Sequence, residues 1–83
     1  MVPRLIDVKY MADYRVWLKF DDGHQGEVDL QNELWGEIFE PLKRKDFFKT
    51  VRWDKELNTI SWDNGADFSP EFLHELVKSQ TSA

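Results

Sequence analysis

The sequence predicts a small α+β domain, in which an antiparallel or mixed sheet of about five strands carries a C-terminal helix. Two patterns support this prediction. Apolar and polar residues alternate through much of residues 4–30, and apolar residues follow helical spacing after residue 69. A chain of 83 residues is long enough for one hydrophobic core and too short for two. We therefore expect residues 1–83 to form a single domain, with a frayed tail at residues 81–83.

The first 30 residues are predicted to form a meander of three strands. In the first strand, Ile6 shares the apolar face with Val8 and Tyr10, whereas Leu5 falls on the polar face. Residues 21–24 read Asp-Asp-Gly-His, a composition typical of a hairpin turn. The three predicted strands are residues 4–11, 14–20 and 25–30.

The remainder of the chain is predicted to contain short helices, a hairpin and a closing helix. Residues 31–50 lose the alternation; Pro41 suits a first helical position there, and Asp46 suits a cap. Alternating apolar residues at 51–53 and 60–62 predict strands four and five. The closing helix starts at Ser69-Pro70-Glu71, with Phe72, Leu73, Leu76 and Val77 on its apolar stripe.

Composition and charge restrict the classes of function. The net charge is −5, and the excess of acidic residues lies in residues 1–42, which disfavours a general nucleic-acid binder. The chain has no cysteine, which excludes disulfides, thiolate zinc sites and a cysteine nucleophile. A small domain without disulfides fits a reducing compartment, and the sequence shows neither a signal peptide nor a membrane span. These features predict a cytoplasmic protein that does not associate with membranes.

Five segments in order resemble the domain-of-unknown-function 2442 family of uncharacterised small bacterial proteins. They are Phe20-Asp-Asp-Gly23, Gly26–Leu30, Phe39–Leu42, Phe47-Phe48 and Trp62–Glu71. The chain departs from the pattern at Asp63, where Pro is usual, and at His74, where Tyr is common. The resemblance implies an α+β fold and structural roles for its motif residues, which are Gly23, Asp29, Trp62, Gly65, Asp67 and Pro70. It also implies a role as the antitoxin-like or accessory partner of another small protein.

Two tryptophans are candidate protein-binding residues, and they support the hypothesis of a non-enzymatic interaction module. Strict alternation points Trp17 away from the apolar face of its strand. Either another element covers it or it contacts a partner; residues 31–42, which include Trp35, could supply that cover. The partner would be another small protein or a second copy of this chain.

The alternative is a nucleic-acid-binding or regulatory domain that uses the one basic cluster. Phe47 and Phe48 interleave with its cations, and such a mixture can bind single strands, although a solvated face over buried rings is the favoured explanation of the pattern. The cluster consists of Lys43, Arg44, Lys45, Lys49 and Arg52.

Catalysis and metal binding have weaker support. The acidic residues of the second hairpin, Asp21, Asp22, Glu27 and Asp29, could converge on a cation, but solvated strand faces and turn hydrogen bonds also explain them. His24 and His74 are expected to be exposed and without a catalytic partner. Asp67 is predicted to bond the freed backbone groups of its turn or of the helix end, and serves as an active-site acid only in a less favoured hypothesis. We expect no enzyme activity, no metal and no cofactor.

Overall fold

The architecture comes from a computed structural model, which describes residues 3–81. Five strands, short helices and a C-terminal helix confirm the predicted α+β class. The strands are β1 (Leu5–Ala12), β2 (Arg15–Phe20), β3 (Gln25–Asp29), β4 (Arg52–Asp54) and β5 (Thr59–Ser61). The α-helices are α1 (Lys45–Phe48) and α2 (Pro70–Thr81), and the 3-10 helices are Gln31–Glu33 and Glu37–Lys43.

The strands form two antiparallel sheets. β1, β2 and β3 pair in chain order, as the meander prediction requires, and β4 pairs with β5. β1 departs from strict alternation because its register on β2 shifts between Leu5 and Asp7. Leu5 is consequently buried completely and Ile6 is exposed, so the predicted faces of these two residues are wrong. A bulge inserts one extra residue into the strand, so residues before the bulge face the side of the sheet opposite to the one that strict alternation predicts.

Residues 31–50 are helical in short pieces, but two details of the prediction are wrong. Pro41 lies inside the 3-10 helix Glu37–Lys43 and does not start a helix. Because proline has no N–H, Pro41 cannot donate to the carbonyl three residues earlier, and Asn64 Nδ2 donates to that carbonyl oxygen, on Ile38, at 2.9 Å. Asp46 lies within α1, where its carboxylate pairs with Arg44 at 3.3 Å and caps nothing.

One core joins the sheets to the helices. Trp62 is the largest fully buried side chain, and its indole Nε1–H donates to the carbonyl oxygen of Phe48 at 2.9 Å. The buried apolar side chains come from β1, β2, β3 and β5, from residues beside the strands and from the helices, so the core unites residues distant in sequence. They are Leu5, Val16, Leu18, Phe20, Val28, Leu30, Leu34, Leu42, Phe48, Ile60, Trp62, Ala66, Phe68, Leu73 and Val77.

α2 closes the fold over β3. The Ser69 hydroxyl accepts the N–H of Phe72 at 3.1 Å and Pro70 is the first helical residue, which agrees with the predicted start. Leu73 and Val77 face the core. Of the predicted frayed tail, Thr81 is the last residue of α2, and residues 82–83 lie outside the described residues. Within residues 3–81, no helix has the length and hydropathy that a membrane crossing requires.

Candidate functional site

An aromatic groove of about 320 Å³ opens between the segment after β3 and the start of α2. Its floor and walls are aromatic, and its rim is polar. We call it the Trp35 groove; it is lined by Glu33, Trp35, Phe39, Asp67, Phe68, Ser69 and Phe72.

Three phenylalanine rings form a continuous stack along the Trp35 groove. The ring centroids of Phe39 and Phe68 lie 5.0 Å apart at an interplanar angle of 25°. Phe68 and Phe72 follow at 5.7 Å and 19°. Phe68 is buried and Phe72 is partly exposed, so Phe72 lies at the edge of the apolar stripe predicted for α2. The stack gives the groove a rigid apolar wall.

Trp35 stands over this groove with 75% of its surface exposed, more than any other large apolar residue in the described chain. The local sequence accounts for its position. Leu34 is buried in the core, and Gly36 adopts a φ of +95°, a backbone conformation that other residues rarely adopt. The chain is therefore anchored before Trp35 and turns sharply after it, which directs the indole outward.

The rim of the Trp35 groove is acidic. Neither Glu33 nor Asp67 takes part in an ion pair or a side-chain hydrogen bond within residues 3–81. The prediction that the Asp67 carboxylate bonds the turn or the helix end is thus wrong, because Asn64 Oδ1 accepts the N–H of Ala66 and Ser69 caps α2. Asp67 contributes through its backbone, which bridges to Ser61. Two free carboxylates leave the rim with unbalanced negative charge.

Trp17 lies outside this groove, on the outer face of the three-stranded sheet. It is half-buried, and the Lys9 ammonium nitrogen lies 5.3 Å from its ring centroid. Lys9 and Glu27, its direct neighbours on β1 and β3, are exposed. The contacts described for the indole are with its cross-strand neighbours, and none of them supports the suggested cover by residues 31–42.

The basic cluster is largely neutralised by neighbouring carboxylates. Four of its five cations form ion pairs at 3.0–3.3 Å, namely Lys43 with Glu40, Arg44 with Asp46, Lys45 with Asp13, and Arg52 with Asp63. The hydrogen bond from Lys45 to Asp13 raises the pKa of the Lys45 ammonium. Lys49 is exposed. Phe47 is half-buried and Phe48 is buried, as expected for a solvated face over core rings.

A second cluster joins Asp22, His24 and His74. Asp22 Oδ2 lies 2.8 Å from His74 Nε2 and 3.0 Å from His24 Nδ1. The prediction that His74 is exposed is wrong, because its side chain is 13% exposed and packs edge-on against Phe20 at 5.1 Å. The pKa of the Asp22 carboxyl is lowered to about 2, chiefly by the N–H of His24, which donates to Asp22 Oδ1, and also by the two imidazoles.

The other acidic residues of the β2–β3 hairpin do not converge with Asp22. Asp21 Oδ1 accepts the N–H of Arg4, and Glu27 pairs with Arg15 at 3.3 Å. Asp29 Oδ1 accepts the N–H of Gln31 at 2.9 Å. Each carboxylate therefore stabilises a different part of the backbone or sheet, and the four do not form a common cation site.

Most residues of the family motif occupy structural positions. Gly23 and Gly65 have φ values of +94° and +89°, which the two turns require. Trp62 fills the core, Asp29 holds the turn after β3, and Pro70 begins α2. Asp67 differs, because it lines the groove.

These features define a small α+β domain with an exposed aromatic groove and an acidic rim. The chain belongs to the family described as "Protein of unknown function (DUF2442)", whose pattern matches residues 5–79 and therefore nearly the whole chain. No curated protein and no solved structure matched the chain.

The sequence identified some groove residues and missed others. Trp35 and Asp67 were singled out, whereas Phe39, Phe68 and Phe72 carry the spacing of ordinary core residues. The Asp22 cluster was also missed, since His74 lies 52 positions from Asp22 and no local motif links them. The one signal in the sequence that could have indicated the groove was an aromatic residue followed directly by a glycine, as in Trp35-Gly36.

Proposed function

We propose that this protein is a non-enzymatic interaction module that binds a segment of another protein in the Trp35 groove. The observation that carries the proposal is the exposure of Trp35 beside a stacked aromatic wall. Exposed tryptophans next to preformed apolar grooves are typical of binding hot spots, because they bury a large area with little loss of conformational entropy. We expect the partner to be another small protein in the cytoplasm.

The charge of the rim defines the chemistry of the partner segment. Glu33 and Asp67 flank the apolar wall and have no cation of this chain beside them within residues 3–81. A bound segment would therefore place a large apolar side chain against the phenylalanine stack and a neighbouring Lys or Arg at the rim. The net charge of −5 favours the approach of such a basic segment.

Catalysis in the same groove has less support. Asp67 does line a cavity, which an active-site acid requires, but general acid–base chemistry also needs groups held in a fixed geometry. No side-chain hydrogen bond within the described residues orients Glu33 or Asp67, and the Ser69 hydroxyl is engaged as the cap of α2. The groove supplies an apolar surface and free charge, which suit binding.

Nucleic-acid binding through residues 43–52 is not favoured by any contact of the described residues. Ion pairs with carboxylates occupy four of the five cations, so the potential available to a phosphate backbone is small. We therefore base the proposal on the Trp35 groove.

A peptide-display selection on the purified chain tests the proposal. Random peptides are selected on the wild-type protein and on Trp35→Ala, and enriched sequences are measured for affinity. We expect enriched peptides to combine an aromatic or large aliphatic residue with a nearby Lys or Arg. Trp35→Ala should weaken their binding by about thirtyfold, which corresponds to a hot-spot loss of about 2 kcal/mol.

Matched variants separate the groove from general surface effects. Trp53→Ala removes a tryptophan that is 38% exposed and lies outside the groove, so it should leave peptide affinity unchanged. The double substitution Glu33→Gln and Asp67→Asn should weaken basic peptides, and Glu56→Gln should not. Equal losses for Trp35→Ala and Trp53→Ala, or binding indifferent to the rim charges, would contradict the proposal. Self-association lost in Trp35→Ala would identify a second copy as the occupant and contradict a heterologous partner.

A further inference from the structure

The cluster of Asp22, His24 and His74 brings two imidazole nitrogens and one carboxylate oxygen to a single point on the surface. The three donor atoms all lie within 4.8 Å of one another, and no other group of three such side chains converges in this way within residues 3–81. None of the three residues lines the Trp35 groove. Phe72 and His74, two positions apart on α2, point about 160° apart around the helix and therefore lie on nearly opposite faces.

The β2–β3 turn fixes the position of Asp22. Asp22 Oδ1 accepts the N–H of His24 at 3.0 Å, and Phe20 donates its N–H to the carbonyl oxygen of His24 at 2.9 Å. Gly23 permits this tight turn through its φ of +94°. With Oδ1 engaged by the backbone, Oδ2 is directed to the two imidazoles.

α2 supplies His74 from the other end of the chain. Its imidazole is held edge-on against the buried ring of Phe20, with 5.1 Å between the centroids, and its Nε2 faces Asp22. The His24 ring lies 4.8 Å from the His74 ring at 72° and remains about half exposed. Two donors are thus preorganised by packing and turn geometry, while His24 can adjust by rotation.

We propose that Asp22 Oδ2, His24 Nδ1 and His74 Nε2 bind a divalent transition-metal ion, with Zn²⁺ as the reference ion. Two imidazoles and one carboxylate are a common three-ligand set for Zn²⁺ and leave the fourth position to water. Nitrogen ligands and a single carboxylate do not suit Mg²⁺ or Ca²⁺, which require several oxygen donors.

The distances are close to those that the ion requires. Ligand atoms on a tetrahedral Zn²⁺ lie about 3.3 Å apart, given bond lengths of about 2.0–2.1 Å. Asp22 Oδ2 is 2.8 Å and 3.0 Å from the two nitrogens, so these two distances must lengthen by a few tenths of an ångström. The two nitrogens lie within 4.8 Å of each other, and rotation of the exposed His24 side chain brings them to the separation that the ion requires. In the hydrogen-bonded cluster, a hydrogen lies between each imidazole nitrogen and Asp22 Oδ2. The bound ion replaces these hydrogens.

The consequence for the protein is a cross-link between the β2–β3 turn and α2. Asp22 and His74 are 52 positions apart, so an unfolded chain does not present the same site. Binding to the folded state alone stabilises it by mass action. At a hundredfold excess of free ion over the dissociation constant, we expect Tm to rise by roughly 10 °C or more.

The test uses the full chain without an affinity tag, after chelator treatment and removal of the chelator. Isothermal titration with ZnCl₂ should give one ion per chain, and Tm should rise. Asp22→Asn or His24→Ala should reduce affinity at least tenfold, whereas the neighbouring control Asp21→Asn should not. His24 lies in an exposed turn, so His24→Ala retains the fold, and unchanged secondary structure by circular dichroism checks this.

Two-dimensional ¹H–¹⁵N spectra of the imidazoles give an independent readout. Zn²⁺ should shift the Nδ1 resonance of His24 and the Nε2 resonance of His74 as ligating nitrogens. Absence of saturable binding, or binding that survives both Asp22→Asn and His24→Ala, would overturn the proposal. Ligation by only one of the two imidazoles would also overturn it. These outcomes are independent of peptide binding in the Trp35 groove.

Discussion

Asn64 Nδ2 donates a hydrogen bond of 2.9 Å to the carbonyl oxygen of Ile38, three residues before Pro41. The same side chain accepts the N–H of Ala66 through Oδ1 at 3.1 Å. Asn64 therefore ties the 3-10 helix Glu37–Lys43 to the turn before α2. Phe39 lies in the 3-10 helix and Phe68 lies just before α2, so Asn64 connects the two segments whose rings stack in the wall of the Trp35 groove.

Replacing Asn64 should loosen both the fold and the groove. Asn64→Ala removes two hydrogen bonds, which should lower the free energy of unfolding by about 1–2 kcal/mol. Urea unfolding measures the loss, and Asn32→Ala, at an exposed position of the 3-10 helix Gln31–Glu33, serves as the control. Equal stability of the two variants would show that the connection contributes little.

The same substitution should lower stability strongly at Trp62 and hardly at all at Trp35. Trp62→Phe removes buried volume and the hydrogen bond from Nε1 to the Phe48 carbonyl oxygen, so it should cost about 2 kcal/mol or more. Trp35→Phe, at a position that is 75% exposed, should change stability by less than about 0.5 kcal/mol. Thermal and urea unfolding compare the pair; a large loss at Trp35 would mean that the indole supports the fold.

The ion pair between Lys45 and Asp13 should contribute to stability until the pH rises above about 10.5. The nitrogen and oxygen are 3.1 Å apart, and the hydrogen bond with Asp13 raises the pKa of Lys45 above its ordinary value of 10.5. Because folding raises the pKa of Lys45, the ion pair contributes fully to the free energy of unfolding below pH 10.5, the pKa in the unfolded chain. This contribution is lost as the pH rises through the higher pKa of Lys45 in the folded protein.

Asp13→Asn isolates this contribution, because asparagine tolerates the φ of +50° at this position. The wild type should be more stable than Asp13→Asn near neutral pH, and the difference should shrink toward about pH 12. Urea unfolding at a series of pH values measures it. A difference that stays constant through the alkaline range would assign the effect to something other than the charge pair.

The sequence predicted the fold well where local chemistry determines it. Alternation in β2 and the Ser69-Pro70 start of α2 depend on neighbouring residues, and both agree with the structure. The errors at Leu5 and Ile6 come from a register shift on β2, which alternation within β1 does not reveal. Pro41 was placed at a helix start because proline suits that position. It lies inside the helix instead, where the side chain of Asn64, 23 residues later, donates to the carbonyl oxygen of Ile38.

The site was only partly predictable for the same reason. Trp35 was singled out as a possible cover for Trp17 and as a candidate binding residue, but its groove is built by Phe68 and Phe72 from another part of the chain. His74 looked like a residue of an exposed helix face until the β2–β3 turn was placed beside it. Contacts between distant segments depend on packing, and a single sequence does not encode them in a local pattern.

The most direct test of the central claim is a titration of the ¹⁵N-labelled protein with the tightest selected peptide. The account predicts the largest chemical-shift changes at the Trp35 indole N–H and at the amides of Phe39, Phe68 and Phe72. Trp17 on the sheet face and Lys49 in the basic cluster should change little. Shifts centred on either of those residues, with the Trp35 groove unaffected, would contradict the proposal that this groove is the binding site.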